Sequence, residues 1–176
     1  MLSDQEIAKL ISALTNLKHK ILMVMLYSTG LRVGEVVRLR PEDIDSSLKL
    51  VLIRTGKGGK DRDSNLLDAA LAMLRNYYQE YKPQKWLFPG VKPGLHSRSH
   101  SAKVFIHAKA GIHKDASVHS LCHSFVTHLS EAGTDLRYIQ ELLGYRSSKK
   151  AAEVYTHITS KDLRKIQSPL DRLVLK

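Results

Sequence analysis

The sequence predicts a mainly α-helical domain that carries one small antiparallel β-sheet. Three observations lead there. Apolar residues recur at three- and four-residue spacing over most of the chain, in blocks that open on capping residues and close on glycine. The stretch from Leu48 to Leu66 breaks that rhythm and reads as two strands around a glycine-rich tip. No internal repeat, low-complexity tract or linker divides the 176 residues, so 1–176 reads as a single domain able to bury a real core.

Taken in order, Ser3-Asp4-Gln5-Glu6 is a capping box, and Ile7, Leu10, Ile11 and Leu14 form the buried stripe behind it. A second helix runs from about Leu17 to a stop at Gly30. It is apolar on nearly every face, which predicts a central position. In Thr29-Gly30-Leu31-Arg32-Val33-Gly34-Glu35 the glycine turns the chain and Arg32 opens the next helix, beside unpaired backbone N–H groups. Pro41-Glu42-Asp43 is a turn. Leu48 and Leu50 to Ile53 make one strand, Thr55 to Lys60 the tip, and Asp61 to Leu66 the return strand.

Asp68 to Tyr81 has helical period with Leu71, Leu74 and Tyr78 inward, and Lys82-Pro83 ends it. Trp86-Leu87-Phe88-Pro89 is an apolar loop pinned to the core. Lys92 to His100 reads as loop, and a helix starts at Ser99 or Ser101 and stops at Gly111. From His119 the polar residues His119, Cys122 and His123 fall within about 100° of one another, opposite Leu121, Phe125 and Leu129. Gly133 stops that helix and Thr134 caps the next, whose buried face is Leu136, Ile139, Leu142 and Leu143 before Gly144. Ser147 to His157 follows, carrying Tyr155. Ser160 to Leu175 is weakly amphipathic and interrupted at Ser168-Pro169.

Composition narrows the class of function. A net charge of +11 calls for a polyanionic partner, with nucleic acid first and a membrane surface second. The longest apolar run, Ile21 to Tyr27, is too short to span a bilayer. Met1 leads straight into a capped helix, so no signal peptide is expected. A single cysteine excludes an internal disulfide and suits a reducing cytoplasm.

Several residues admit both a bland and a chemical reading. Arg32 is either a surface arginine at a helix start or an anion grip. Lys57 and Lys60 belong either to a solvated turn or to a basic finger; a Walker-type phosphate loop is excluded, because no Gly-Lys-Ser/Thr opens a following helix. Lys103 and His107 face either solvent or DNA. His119, Cys122, His123 and His128 raise the question of zinc, yet no Cys-x-x-Cys or His-Glu-x-x-His accompanies them. A Cys–His hydrolase would need an approach geometry that two residues of one helix seldom have.

Five motifs in order carry a resemblance: Thr-Gly-Leu-Arg (29–32), Gly-Lys-Gly-Gly-Lys-Asp-Arg (56–62), His-Ser-Leu-Cys-His-Ser-Phe (119–125), Tyr-Ile-Gln-Glu-Leu-Leu-Gly (138–144) and Tyr-Thr-His (155–157). In that order the chain resembles the catalytic domain of the tyrosine recombinases, the Xer-like phage integrase family, over nearly its whole length. The resemblance implies that fold, and a reaction in which a tyrosine cleaves and rejoins DNA through a 3′-phosphotyrosyl intermediate, without metal or cofactor. It implies double-stranded DNA and further protomers as partners, with no membrane and a cytoplasmic setting. It implies catalytic roles at Arg32, Lys57, His119, position 122, position 145 and the nucleophile Tyr155. Lys60, Arg62, Arg98, Lys103 and His123 would serve DNA, Arg62 at a backbone phosphate, and Glu35 would buttress the fold.

Two positions depart from the pattern. Cys122 stands where the family has its second arginine, and Tyr145 where it has histidine or tryptophan. Tyr145 to Tyr155 is also one residue longer than the family's spacing. A neutral thiol cannot replace a guanidinium, and losing one preorganised donor costs on the order of 10²–10³ in rate. The expectation is therefore impaired cleavage, with a catalytically inactive DNA-binding module as the alternative. The family's N-terminal helical DNA clamp has no counterpart in the sequence. Leu163, Ile166, Leu170 and Leu173 are expected to dock a tail, either on a neighbouring protomer or in cis.

Overall fold

A computed structural model describes residues 2–54, 61–90, 111–112 and 118–143. Among them the architecture is mainly α-helical with a three-stranded antiparallel sheet. Helix α1, Asp4–Ala13, opens on the expected capping box: Ser3 accepts from the Glu6 N–H, and the Glu6 carboxylate accepts from the Ser3 N–H at 2.7 Å. Helix α2, Leu17–Thr29, begins at Asn16, whose side chain accepts from the His19 N–H. Every residue of α2 from Ile21 to Thr29 is buried, so it is the axis of the core, packed against α1 and against three of the helices introduced below. The all-round apolar sequence is the cause, since no face of it gains from water.

Gly30, at φ +65°, ends α2 in the left-handed region and turns the chain into the short helix α3, Val33–Val36. A 3₁₀ turn, Pro41–Asp43, leads to β1, Ile44–Asp45, which pairs with β2, Leu50–Ile53. Strand β3, Arg62–Asn65, completes the sheet in the order β1-β2-β3, with Ile53 opposite Arg62 and Val51 opposite Ser64. Two details differ from the sequence reading. Strand β1 is added, too short at two residues to show a period. Leu48 lies outside the sheet and is half exposed, because the Asp45 carboxylate ties the N–H groups of Ser47 and Leu48 into a tight turn.

Helix α4 spans Asp68–Tyr81, as the period predicts, and ends on Lys82 in the left-handed region at φ 44°. Leu71 and Leu74 face inward, but the buried tyrosine is Tyr77 and not Tyr78, which is 48% exposed. Tyr77 continues the Ala70, Leu71, Leu74 stripe one turn further, and its hydroxyl donates to the Leu87 carbonyl at 2.8 Å. Its ring packs on Phe88 and stacks on Tyr81. The Trp86–Pro89 segment is pinned as expected: Leu87 and Phe88 are buried, and the Leu87 N–H donates to Leu39.

Helix α5, Val118–Glu131, buries Leu121, Phe125 and Leu129 against α2. Gly133, at φ +82°, stops it. The following helix α6, Leu136–Leu142, is capped by Asp135 and not by Thr134; the Asp135 carboxylate accepts from the Arg137 N–H at 2.8 Å. Ile139, Leu142 and Leu143 are buried. The chain's start is held here too, since the Leu2 N–H donates to Ser124 Oγ at 3.0 Å within the core. No helix among the described residues is long and apolar enough to cross a membrane.

Candidate functional site

The turn after α2 sets up the site. Gly30 lets the chain reverse, Leu31 enters the core, and Arg32 is left as the N-cap of α3. The backbone donor expected there to attract an anion already has a partner. Glu35, at the third position of the helix, reaches back so that Oε2 accepts from the Arg32 N–H at 2.7 Å. The Arg32 guanidinium lies on the other oxygen, Nη1 to Oε1 at 3.3 Å.

From the sheet, Arg62 brings a second guanidinium to the same carboxylate, Nη1 to Oε1 at 2.8 Å and Nη2 to Oε2 at 3.0 Å. Its Nε donates to the Leu142 carbonyl at 3.2 Å, at the end of α6. The strand's alternation explains the direction: Arg62 and Ser64 share a face, and Ser64 is buried with Oγ donating to the Thr29 carbonyl at 2.9 Å. The Arg62 and Glu35 side chains are only 11% and 13% exposed, so the pair must offset a desolvation cost. The two-pronged contact does so. Burial pushes the Glu35 carboxyl up, but the Arg62 hydrogen bonds, the Arg32 N–H and both positive charges together hold it below the usual carboxylate range.

Helix α5 supplies the third side. Cys122 points its Sγ at the Gly30 carbonyl, 3.3 Å away, and stands within electrostatic reach of Arg32, Glu35 and Arg62. Burial pushes its thiol up; the two arginines pull it down, Glu35 pushes it up, and burial prevails. The group is thus a neutral thiol at physiological pH, with its one proton directed to a backbone carbonyl. His119 and His123 flank it on the same helix and are exposed. His128 is on the opposite, buried side, where Nδ1 lies 2.8 Å from the Tyr27 hydroxyl and 2.9 Å from Asp4 Oδ1. The four residues that raised the question of zinc are therefore split between two faces of α5.

Of the residues singled out from sequence, the structure brings Arg32, Arg62 and Cys122 together around Glu35, with His119 and His123 on the adjoining helix. Lys57, Lys60, Arg98, Lys103, Tyr145 and Tyr155 lie outside the described residues. So do the tail leucines and Ile166, and the segments 92–110 and 147–157. The pairing of Arg62 with Glu35 is what the sequence reading missed. The signal was present: period-two alternation puts Arg62 on the same inward face as Ser64, and an inward arginine demands a carboxylate.

Chemically, the arrangement presents one guanidinium outward. Arg32 is 31% exposed against 11% for Arg62, so among the described residues Arg32 is the more outward of the two guanidinia on Glu35.

Residues 1–162 match the profile described as the phage integrase family. The chain is 38% identical over 176 residues to a putative integrase/recombinase, y4eF, of Sinorhizobium fredii, covering 98% of this chain and 70% of that protein. It is 34% identical to the tyrosine recombinase XerA of Pyrococcus horikoshii, covering 93% of this chain and 58% of that one. The crystal structure of a XerA recombinase superposes with a TM-score of 0.75 at 29% identity, over 93% of this chain and 62% of that one. The chain thus spans between 58% and 70% of the length of these relatives.

Proposed function

This chain belongs to the phage integrase family, and from that premise we propose that it is the catalytic domain of a site-specific DNA recombinase whose cleavage step is weakened at one position. The observation that carries the reading is the convergence of Arg32, from the turn after α2, with position 122 of α5 beside a shared carboxylate. These two motifs are 90 residues apart in sequence, and the family's chemistry needs both at one phosphate.

In that chemistry the Tyr155 phenolate, its proton given up to solvent, attacks a backbone phosphodiester. The P–O bond to the 5′ oxygen breaks, Lys57 protonates the departing oxygen, and a 3′-phosphotyrosyl linkage retains the energy for rejoining. Arg32 grips the non-bridging oxygens while negative charge builds on them, and His119 completes the grip. Tyr145 donates one hydrogen bond where the family has histidine or tryptophan. Lys60, Arg98, Lys103 and His123 would contact DNA, whereas Arg62, expected at a backbone phosphate, is engaged with Glu35. Double-stranded DNA is the substrate, and further protomers on it are the partners, with the 161–175 tail exchanged between them.

The second reading, a DNA-binding module without cleavage, has its own support. Cys122 brings no positive charge, and its single donor is directed at Gly30 rather than outward. A nicked suicide substrate separates the two, because cleavage traps the protein on DNA as a denaturation-resistant adduct. We expect little adduct from the chain as it stands, a rise of about 10²-fold for Cys122→Arg, and none after Tyr155→Phe in that background. No adduct from Cys122→Arg, alone or with Lys150 deleted to restore the family's spacing, would refute the recombinase reading and leave the binding module.

A further inference from the structure

A carboxylate offers about four acceptor positions, two on each oxygen. On Glu35 all four are taken. Oε1 receives Nη1 of Arg32 at 3.3 Å and Nη1 of Arg62 at 2.8 Å. Oε2 receives the Arg32 N–H at 2.7 Å and Nη2 of Arg62 at 3.0 Å. Arg62 therefore holds the two-pronged contact, and the Arg32 guanidinium takes the remaining position on one oxygen. We propose that Arg62 is a positioning residue for Arg32: by occupying both oxygens of Glu35, it prevents that carboxylate from drawing the Arg32 guanidinium into a two-pronged pair of its own.

The physical case rests on competition. Arginine and carboxylate prefer the forked geometry, which joins two charge-assisted hydrogen bonds in one plane. Arg32 is three residues from Glu35 on one helical turn and already reaches Oε1, so occupancy of the carboxylate by Arg62 stands against the forked arrangement. Exposure points the same way: the fork on Glu35 is the enclosed guanidinium, and Arg32 is the outward one. The bond from Arg62 Nε to the Leu142 carbonyl fixes the plane of the fork from a third element, so the end of α6 helps decide how far outward Arg32 stands. The inference deepens the reading of Arg32 as the guanidinium that grips a phosphate, and rests on it for its functional consequence.

The test has an arm that needs no DNA. In the full chain labelled with ¹⁵N, the Arg32 guanidinium signals report rotation about its terminal C–N bonds, which a forked pair slows. In Arg62→Met we expect that rotation to slow by about tenfold or more, the effect of one added charge-assisted hydrogen bond. Adding Glu35→Gln should reverse the slowing, since an amide cannot hold the fork. A residue that merely supports the fold would loosen Arg32 in the single variant and loosen it further in the double. Should Arg62→Met fail to fold, Arg62→Lys answers instead, because a point donor keeps the charge yet cannot cover both oxygens in a fixed fork. Unchanged or faster rotation in whichever variant folds overturns the proposal, as does slowing that Glu35→Gln leaves in place.

The second arm measures the salt dependence of binding to a short DNA duplex. Arg32→Ala should reduce the slope of log K against log salt by about 0.9 in the native chain, one phosphate contact, and by nothing once Arg62 is methionine. Slowed Arg32 rotation in a protein that does not bind DNA would uphold the positioning role and refute the function proposed above. DNA binding with unaltered Arg32 rotation would do the reverse.

Discussion

Gly30→Ala tests how tightly the site is built into the core. Gly30 sits at φ +65°, where an L side chain is strained by about 1–2 kcal/mol. A Cβ at this position would also lie 2.6 Å from Phe125 Cε1, 2.7 Å from its Cδ1 and 3.3 Å from Leu143 Cδ2. The first two distances are closer than packed carbons allow, and Phe125 is a buried ring against Tyr27 with nowhere cheap to go. Overpacking of this sort costs about 1–3 kcal/mol, so the two effects together predict a loss of about 2–5 kcal/mol. For a domain of this size that lowers the melting temperature by about 4–20 °C. The assay is thermal and urea unfolding by circular dichroism, with an unchanged urea slope showing that the folded state alone is affected. Gly133→Ala is the control. Its φ of +82° carries the same kind of backbone strain, but among the described residues nothing lies within 4 Å of the added Cβ. It should lose only the backbone share, about 1–2 kcal/mol. Equal losses at the two positions, or a shift under about 1 °C at Gly30, would refute the claim that α5 is packed directly onto this turn.

Two further outcomes are expected. The folded chain holds the Cys122 proton more tightly than the unfolded one, so unfolding releases a proton once pH passes the ordinary thiol value of about 8.5. Stability should therefore fall as pH rises from there, and urea unfolding should show the difference between the native chain and Cys122→Ala shifting as pH rises above about 8.5; a constant difference would mean that the thiol is not shielded. The net charge of +11 predicts DNA binding through phosphates. Four such contacts alone give about a 10²-fold loss of affinity from about 50 to about 200 mM salt, measurable by fluorescence anisotropy, and a flat response would contradict it.

Much of the fold was legible because its signals are local. Ser3 to Glu6 names its own cap, Gly30 and Gly133 their own stops, and Asp68 to Tyr81 its own period. The errors arose where a tertiary partner chose between near-equivalent local options. Tyr77 and Tyr78 are adjacent on α4, and the Leu87 carbonyl and the Phe88 ring decide for the first. Thr134 and Asp135 are both acceptable caps, and only the start of α6 one residue later selects Asp135. At the site, sequence motifs singled out Arg32 and position 122, which the structure brings near one another, but not what lies between them. The Glu35–Arg62 pair spans 27 residues and the bond to Leu142 another 80, and separations of that kind leave no periodic trace.

That difference bears on how Cys122 affects the site. Among the described residues the cluster holds two guanidinia against one carboxylate, one unit of positive charge in a partly desolvated place. An arginine at 122 would add a second unit that must be stable in the absence of DNA, when no phosphate is there to balance it. Cysteine removes that repulsion, and its thiol satisfies the Gly30 carbonyl instead. On the proposed reading, stability and phosphate grip thus pull in opposite directions at this residue. Cys122→Arg should gain adduct while melting at a lower temperature when free, and DNA should recover more of that loss than it stabilises the native chain. A variant that gains grip with no loss of free stability would mean that the surrounding carboxylate, and not the residue at 122, sets the charge balance of the site.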